Sequence, residues 1–128
     1  MNTQKILIVE DNPLDVLIGK YFLEKADSNT EIFVAINGKE AITLLENSTF
    51  DIIFVDLDMP VMDGFEFIEY FFSGKYTSQT HIVATSSTTN PTAMRRLLKY
   101  KILTFVPKPY SLPKMKELKN LVRVISNL

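Results

Sequence analysis

Five times along the chain, a short run rich in β-branched residues is followed by a segment whose apolar residues recur at helical spacing, and this alternation leaves few folds open. The strand-like runs are 5–10 (KILIVE), 31–36, 51–56 (DIIFVD), 81–86 and 102–106. The third is apolar on both faces, as a central parallel strand should be. Helix starts are marked as well. Asn12 is a capping residue followed by Pro13, which suits the first helical position. Asn37 and Glu40 have the spacing of a capping box, Asp63-Gly64 is turn chemistry at a helix start, and Asn90-Pro91 and Ser111 open the last two helices. The predicted inward stripes include Leu14, Leu17, Ile18, Tyr21 and Phe22 in the first helix, and Met94, Leu97 and Leu98 in the fourth. Strands alternating with helices imply a parallel sheet covered on both faces, because each crossover is right-handed. At 128 residues the chain fits one domain, 1–128, and its 46% apolar content suffices for a core.

Composition narrows the chemistry. There is no cysteine, so a disulfide framework and a thiolate metal site are both excluded. The lead MNTQKILIVEDN passes from polar residues straight into a strand, without the apolar stretch of a signal peptide, and no run reaches the roughly 20 apolar residues of a membrane span. A cytoplasmic location, with no membrane contact, is expected. The net charge of −1 conceals a polarity. Residues 1–90 hold 5 Lys/Arg against 14 Asp/Glu, whereas 91–128 hold 9 against one. Two faces of opposite charge, with different partners, are expected.

In a doubly wound sheet, ligands bind beyond the carboxyl ends of the strands, where the strand order reverses. The polar residues found there decide the chemistry. The first strand ends in Glu10 and Asp11, the third in Asp56 with Asp58 two residues on, the fourth in Ser86, and Lys108 follows the fifth. Acids brought this close repel one another unless a cation sits among them, and hard carboxylate oxygens suit Mg²⁺ or Mn²⁺. A carboxylate beside such an ion is a competent nucleophile for a phosphoryl group. The phosphoryl oxygens then need the metal, the Lys108 ammonium, the Ser86 hydroxyl and a backbone N–H.

The motifs IVEDN (8–12), FVDLDMPVMDG (54–64), VATSS (83–87) and FVPKPY (105–110) resemble those of the receiver domains of two-component response regulators, in order and over nearly the whole chain. The resemblance implies a flavodoxin-like (βα)5 sandwich of strand order 2-1-3-4-5, the same order the alternation suggests, so the two are not independent. It implies that Asp56 is the phosphoacceptor, that Asp11 ligates Mg²⁺ or Mn²⁺ directly and Glu10 through water, and that the backbone carbonyl of Asp58 is a further ligand. It makes Ser86 the switch hydroxyl, Phe105 the switch aromatic and Lys108 the lysine that meets the phosphoryl group, with a cis Lys108–Pro109 bond. Two departures stand out: Ser87 where the family usually has alanine, and the extra acid Asp58 beside the site.

The function so implied is a phosphorylation-dependent switch. A sensor histidine kinase or a histidine phosphotransfer protein donates to Asp56, and output passes through the fourth helix, fifth strand and fifth helix to a downstream protein. The basic residues Arg95, Lys99, Lys101, Lys116 and Lys119, with Tyr100, are expected on that face and suit an acidic partner. A monomer or a phosphorylation-dependent dimer is expected, without direct DNA binding, since no helix-turn-helix extension is present. Two rival readings fit less well. A haloacid-dehalogenase-type phosphatase also uses Asp-x-Asp after a strand, as in Asp56-Leu57-Asp58, but its further acids come after the lysine, and here Glu10 and Asp11 come first. A binding module that keeps the fold without phosphorylation has no use for the full set of acids, serine and lysine. Nucleotide folds fail for want of a G-x-G-x-x-G or a P-loop.

Overall fold

The computed structural model describes residues 3–59, 61–74, 79–88 and 90–127. Its elements alternate throughout: β1 (Gln4–Val9), α1 (Pro13–Ala26), β2 (Thr30–Ala35), α2 (Gly38–Asn47), β3 (Ile52–Asp56), α3 (Gly64–Ser73), β4 (His81–Ser86), α4 (Pro91–Leu97), β5 (Thr104–Pro107) and α5 (Leu112–Ser126). All strand pairs are parallel, in the order β2-β1-β3-β4-β5. Among the described residues, no helix is long and apolar enough to cross a membrane.

The two-residue period of a strand divides the core into two layers. Leu7, Val9, Ile53, Val55 and Ala84 point to one side, where they meet Phe67, Ile68 and Phe71 of α3 and Ala41 and Leu45 of α2. Ile6, Ile8, Phe54 and Val83 point to the other, where Leu23 of α1 and Met115, Leu118 and Val122 of α5 cover them. β3 is buried along its whole length, which explains its unbroken apolar run.

The helices begin where their caps stand. Asn12 Oδ1 accepts from the amides of Leu14 and Asp15, and Pro13 occupies the first turn of α1. Asp63 and Glu66 form a full capping box at α3. At α2, Asn37 caps as expected, but Glu40 reaches back to the amide of Ile36, one residue before the cap.

Three expectations are corrected. The outer side of α1 carries Leu14, Leu17 and Tyr21, at 62%, 64% and 57% exposure, while its inner side is Gly19 and Leu23 with half-buried Ile18 and Phe22. Apolar residues lie all round this helix, so its pattern left the rotation ambiguous. In α4, Leu98 lies beyond the last helical residue and is exposed. Lys119 was expected on a solvent-facing basic surface, but it is 2% exposed. Its ammonium donates to the carbonyls of Leu23 and Asp27 and to Thr30 Oγ1, fastening α5 to the end of α1. Leu23 O also accepts from the Asp27 amide and Asp27 O from the Thr30 hydroxyl, so the ammonium joins a hydrogen-bonded helix end.

Candidate functional site

The carboxyl ends of β1, β3, β4 and β5 come out along one edge, held by main-chain bonds that run past the strands. Glu10 N donates to Ala35 O, Leu57 N to Thr85 O and Lys108 N to Ser86 O, at 2.9, 2.9 and 3.0 Å. Gly64 sets the turn after β3. A Cβ there would stand 2.3 Å from Asp56 O and 2.6 Å from Leu57 Cα, so only glycine lets α3 start against the strand end. Val61 in the same turn takes a left-handed φ of 69°.

Carboxylate oxygens of Glu10, Asp11 and Asp56 lie within 4.8 Å of one another. Glu10 and Asp56 are buried; Asp11 is exposed. Lys108 Nζ closes the cluster from the β5 side. It donates to Glu10 Oε1 and to Asp15 Oδ2 at 2.9 Å, and stands 3.5 Å from Asp56 Oδ2. The peptide bond after Lys108 is cis. Burial raises the Glu10 carboxyl to about 7, against the opposing pull of Lys108 and the Asn12 amide. Burial also raises Asp56, and the Asp58 carboxylate adds to this, while the Asp58 amide, Glu10 and Lys108 oppose it. Burial works against charge on Lys108, but Glu10, Asp15 and Asp56 outweigh it and hold the ammonium well above the usual lysine range.

This donor set fits a hard divalent cation. Three oxygen donors converge, two of them in surroundings that resist negative charge, and a cation there would relieve both the burial and the mutual repulsion.

The chain matches the response regulator receiver domain family over residues 6–120. It belongs to that family. The receiver is 26% identical over 112 residues to the probable C4-dicarboxylate response regulator DctR of Priestia megaterium, covering 88% of this chain and 48% of that protein. It is 30% identical over 119 residues to hybrid signal transduction histidine kinase K of Dictyostelium discoideum, covering 88% of this chain and 10% of that one. The chain thus spans half or less of these relatives. Among solved structures, chemotaxis protein CheY4 of Vibrio cholerae has a TM-score of 0.78 at 28% identity, covering 95% of this chain and 98% of that one. A two component response regulator from Cytophaga hutchinsonii reaches a TM-score of 0.85 at 19% identity, covering 97% and 99%. The receiver is therefore a module of two-component signalling.

The other expected residues take up different places in the receiver. Ser86, 3% exposed, donates from Oγ to Asp58 Oδ2 at 2.8 Å and accepts from the Thr88 amide at 3.1 Å. Phe105 is half-buried against the α2–α3 layer of the core. Arg95, Lys99, Lys101 and Lys116 are exposed. Tyr100 is half-buried, its ring stacked on Phe72 at 5.8 Å and its hydroxyl 3.4 Å from Glu69. Lys119 lies apart from these, against α1.

Sequence reasoning missed Asp15. It sits in the first turn of α1, just after the acidic end of β1, and its carboxylate accepts from Lys108 Nζ. An acid in the first turn of the helix that follows Glu10 and Asp11 was the available signal.

Proposed function

We propose that the receiver is a phosphorylation-dependent switch in which Asp56 accepts a phosphoryl group from the phosphohistidine of a sensor histidine kinase or a histidine phosphotransfer protein. The observation that supports this best is Lys108 Nζ, which donates to Glu10 of the acidic trio and stands 3.5 Å from Asp56. An Asp56 carboxylate oxygen forms the new bond to phosphorus as the P–N bond breaks. The bond pair departs on the imidazole nitrogen, and with the ring's other nitrogen protonated the histidine leaves neutral. Mg²⁺ or Mn²⁺, held by Glu10, Asp11, Asp56 and the Asp58 carbonyl, would supply positive charge for the phosphoryl oxygens. Lys108 neutralises one of those oxygens and the Ser86 hydroxyl donates to another. Hydrolysis of the aspartyl phosphate by water resets the switch.

Output in this reading is a two-state population shift. Ser86 moves toward the phosphoryl group, Phe105 turns inward, and the face of α4, β5 and α5 changes shape. Arg95, Lys99, Lys101 and Lys116 offer that face to an acidic downstream protein, with Tyr100 at its edge and Lys119 excluded from it. The receiver acts in the cytoplasm as a monomer or a phosphorylation-dependent dimer, through protein contacts and without binding DNA.

The test is covalent. Acetyl phosphate with Mg²⁺ should add one phosphoryl group by intact mass, removable by hydroxylamine, and Asp56→Asn should take up none. Uptake by Asp56→Asn at the wild-type rate would refute the assignment.

A further inference from the structure

The hydrogen bond between Ser86 and Asp58 cannot coexist with a Ser86 contact to a phosphoryl group. A serine hydroxyl has a single proton to donate. Here that proton goes to Asp58 Oδ2 at 2.8 Å, while the Thr88 amide donates to the Ser86 oxygen at 3.1 Å and Thr88 Oγ1 stands 3.4 Å away. The acceptor is a carboxylate, which makes the bond stronger than one between neutral groups. Ser86 is buried and Asp58 is exposed, so the acid reaches in from the solvent side to a hydroxyl shielded from water.

The main chain of Asp58 acts on the same site from the other side. Its amide donates to Asp56 Oδ1 at 3.2 Å. One residue thus steadies the Asp56 carboxylate with its backbone and occupies the Ser86 proton with its side chain.

We propose that Asp58 is a positioning residue that latches the Ser86 hydroxyl in the unphosphorylated geometry, so that the latch must open before Ser86 can donate to a phosphoryl group on Asp56. The inference rests on the reading of Asp56 as phosphoacceptor. It makes Asp58 a brake on the switched state, acting through Ser86. Simple repulsion between the Asp58 charge and an incoming anion would also act as a brake, but without needing Ser86.

Fluoroberyllate, a non-transferable mimic of the phosphoryl group, separates the two. Its affinity in the presence of Mg²⁺ is read from the ¹⁹F resonances of the bound complex, for wild type, Asp58→Ala, Ser86→Ala and the double variant. Asp58→Ala should tighten binding about tenfold, the range of a charge-assisted hydrogen bond. In the Ser86→Ala background the same change should alter affinity less than about twofold. Without fluoroberyllate, the Thr88 amide resonance should move in Asp58→Ala, because its acceptor, Ser86 Oγ, is released. Equal tightening in both backgrounds, no tightening, or an unmoved Thr88 amide would overturn the latch. If wild type itself bound no fluoroberyllate, the phosphoacceptor reading would fall first and the latch with it.

Discussion

Lys108 Nζ stands 2.9 Å from Asp15 Oδ2 and 3.5 Å from Asp56 Oδ2, so the ammonium that binds Glu10 is also held by an acid outside the acidic trio. Both side chains of the closer pair are mostly shielded, at 10% and 29% exposure. Asp15→Asn and Lys108→Met, singly and together, should show a coupling of about 1 kcal/mol in urea unfolding, the range for a partly buried charged hydrogen bond. Additive effects would mean that water screens the contact.

The metal-free protein should lose stability as pH rises through neutrality. Glu10 titrates near 7 in the folded state, above its ordinary value of 4.5, and Asp56 is shifted the same way. The folded state therefore binds protons more tightly. Its advantage is complete below about 4.5 and is lost as pH climbs through about 7. One pKa unit is worth about 1.36 kcal/mol, so the fall attributable to Glu10 is a few kcal/mol at most. Urea midpoints from pH 4.5 to 8 measure it. Glu10→Gln should flatten the slope, and millimolar Mg²⁺ should do so by favouring the ionised acids.

Lys119 predicts an opposite slope at alkaline pH. Burial lowers its ammonium to about 8, with Asp27 opposing. The folded state then binds fewer protons than the unfolded chain, so stability rises from about pH 8 toward the unfolded value of 10.5 and is lost as pH falls through about 8. Lys119→Met removes the titrating group and should abolish that rise. Persistence of the slope in the variant would assign it to another group.

Two glycines should respond differently to the same methyl group. Gly64→Ala drives a Cβ into the backbone of Asp56 and Leu57, which cannot yield without moving the strand end. The expected cost is about 3 kcal/mol, with a matching loss of phosphoryl uptake. The atoms nearest a Cβ at Gly38 belong to the Met62 side chain, from 2.6 Å, and a methionine can swing aside. Gly38→Ala should cost about 1 kcal/mol and leave uptake intact. Equal costs in thermal or urea unfolding would contradict this account.

The strand order and the edge on which Glu10, Asp11, Asp56, Ser86 and Lys108 gather were legible in the chain alone. A strand's period of two and its end are local properties, and right-handed crossovers then put all the carboxyl ends on one side. Register and helix rotation were not local. Leu14, Leu17 and Tyr21 are as apolar as the residues that α1 buries, so only packing against Tyr110, Ile8 and α5 turns Gly19 and Leu23 inward. That same rotation swings Asp15 to Lys108 and opens the end of α1 to Lys119, contacts spanning 93 and 96 residues of chain. The Ser86–Asp58 bond likewise joins the last residue of β4 to the turn after β3, which meet because β3 and β4 pair in register, with Asp56 opposite Thr85. Spacing along the sequence specifies which residues end each strand, whereas the partner a charged side chain finds depends on how whole helices and loops settle on the sheet.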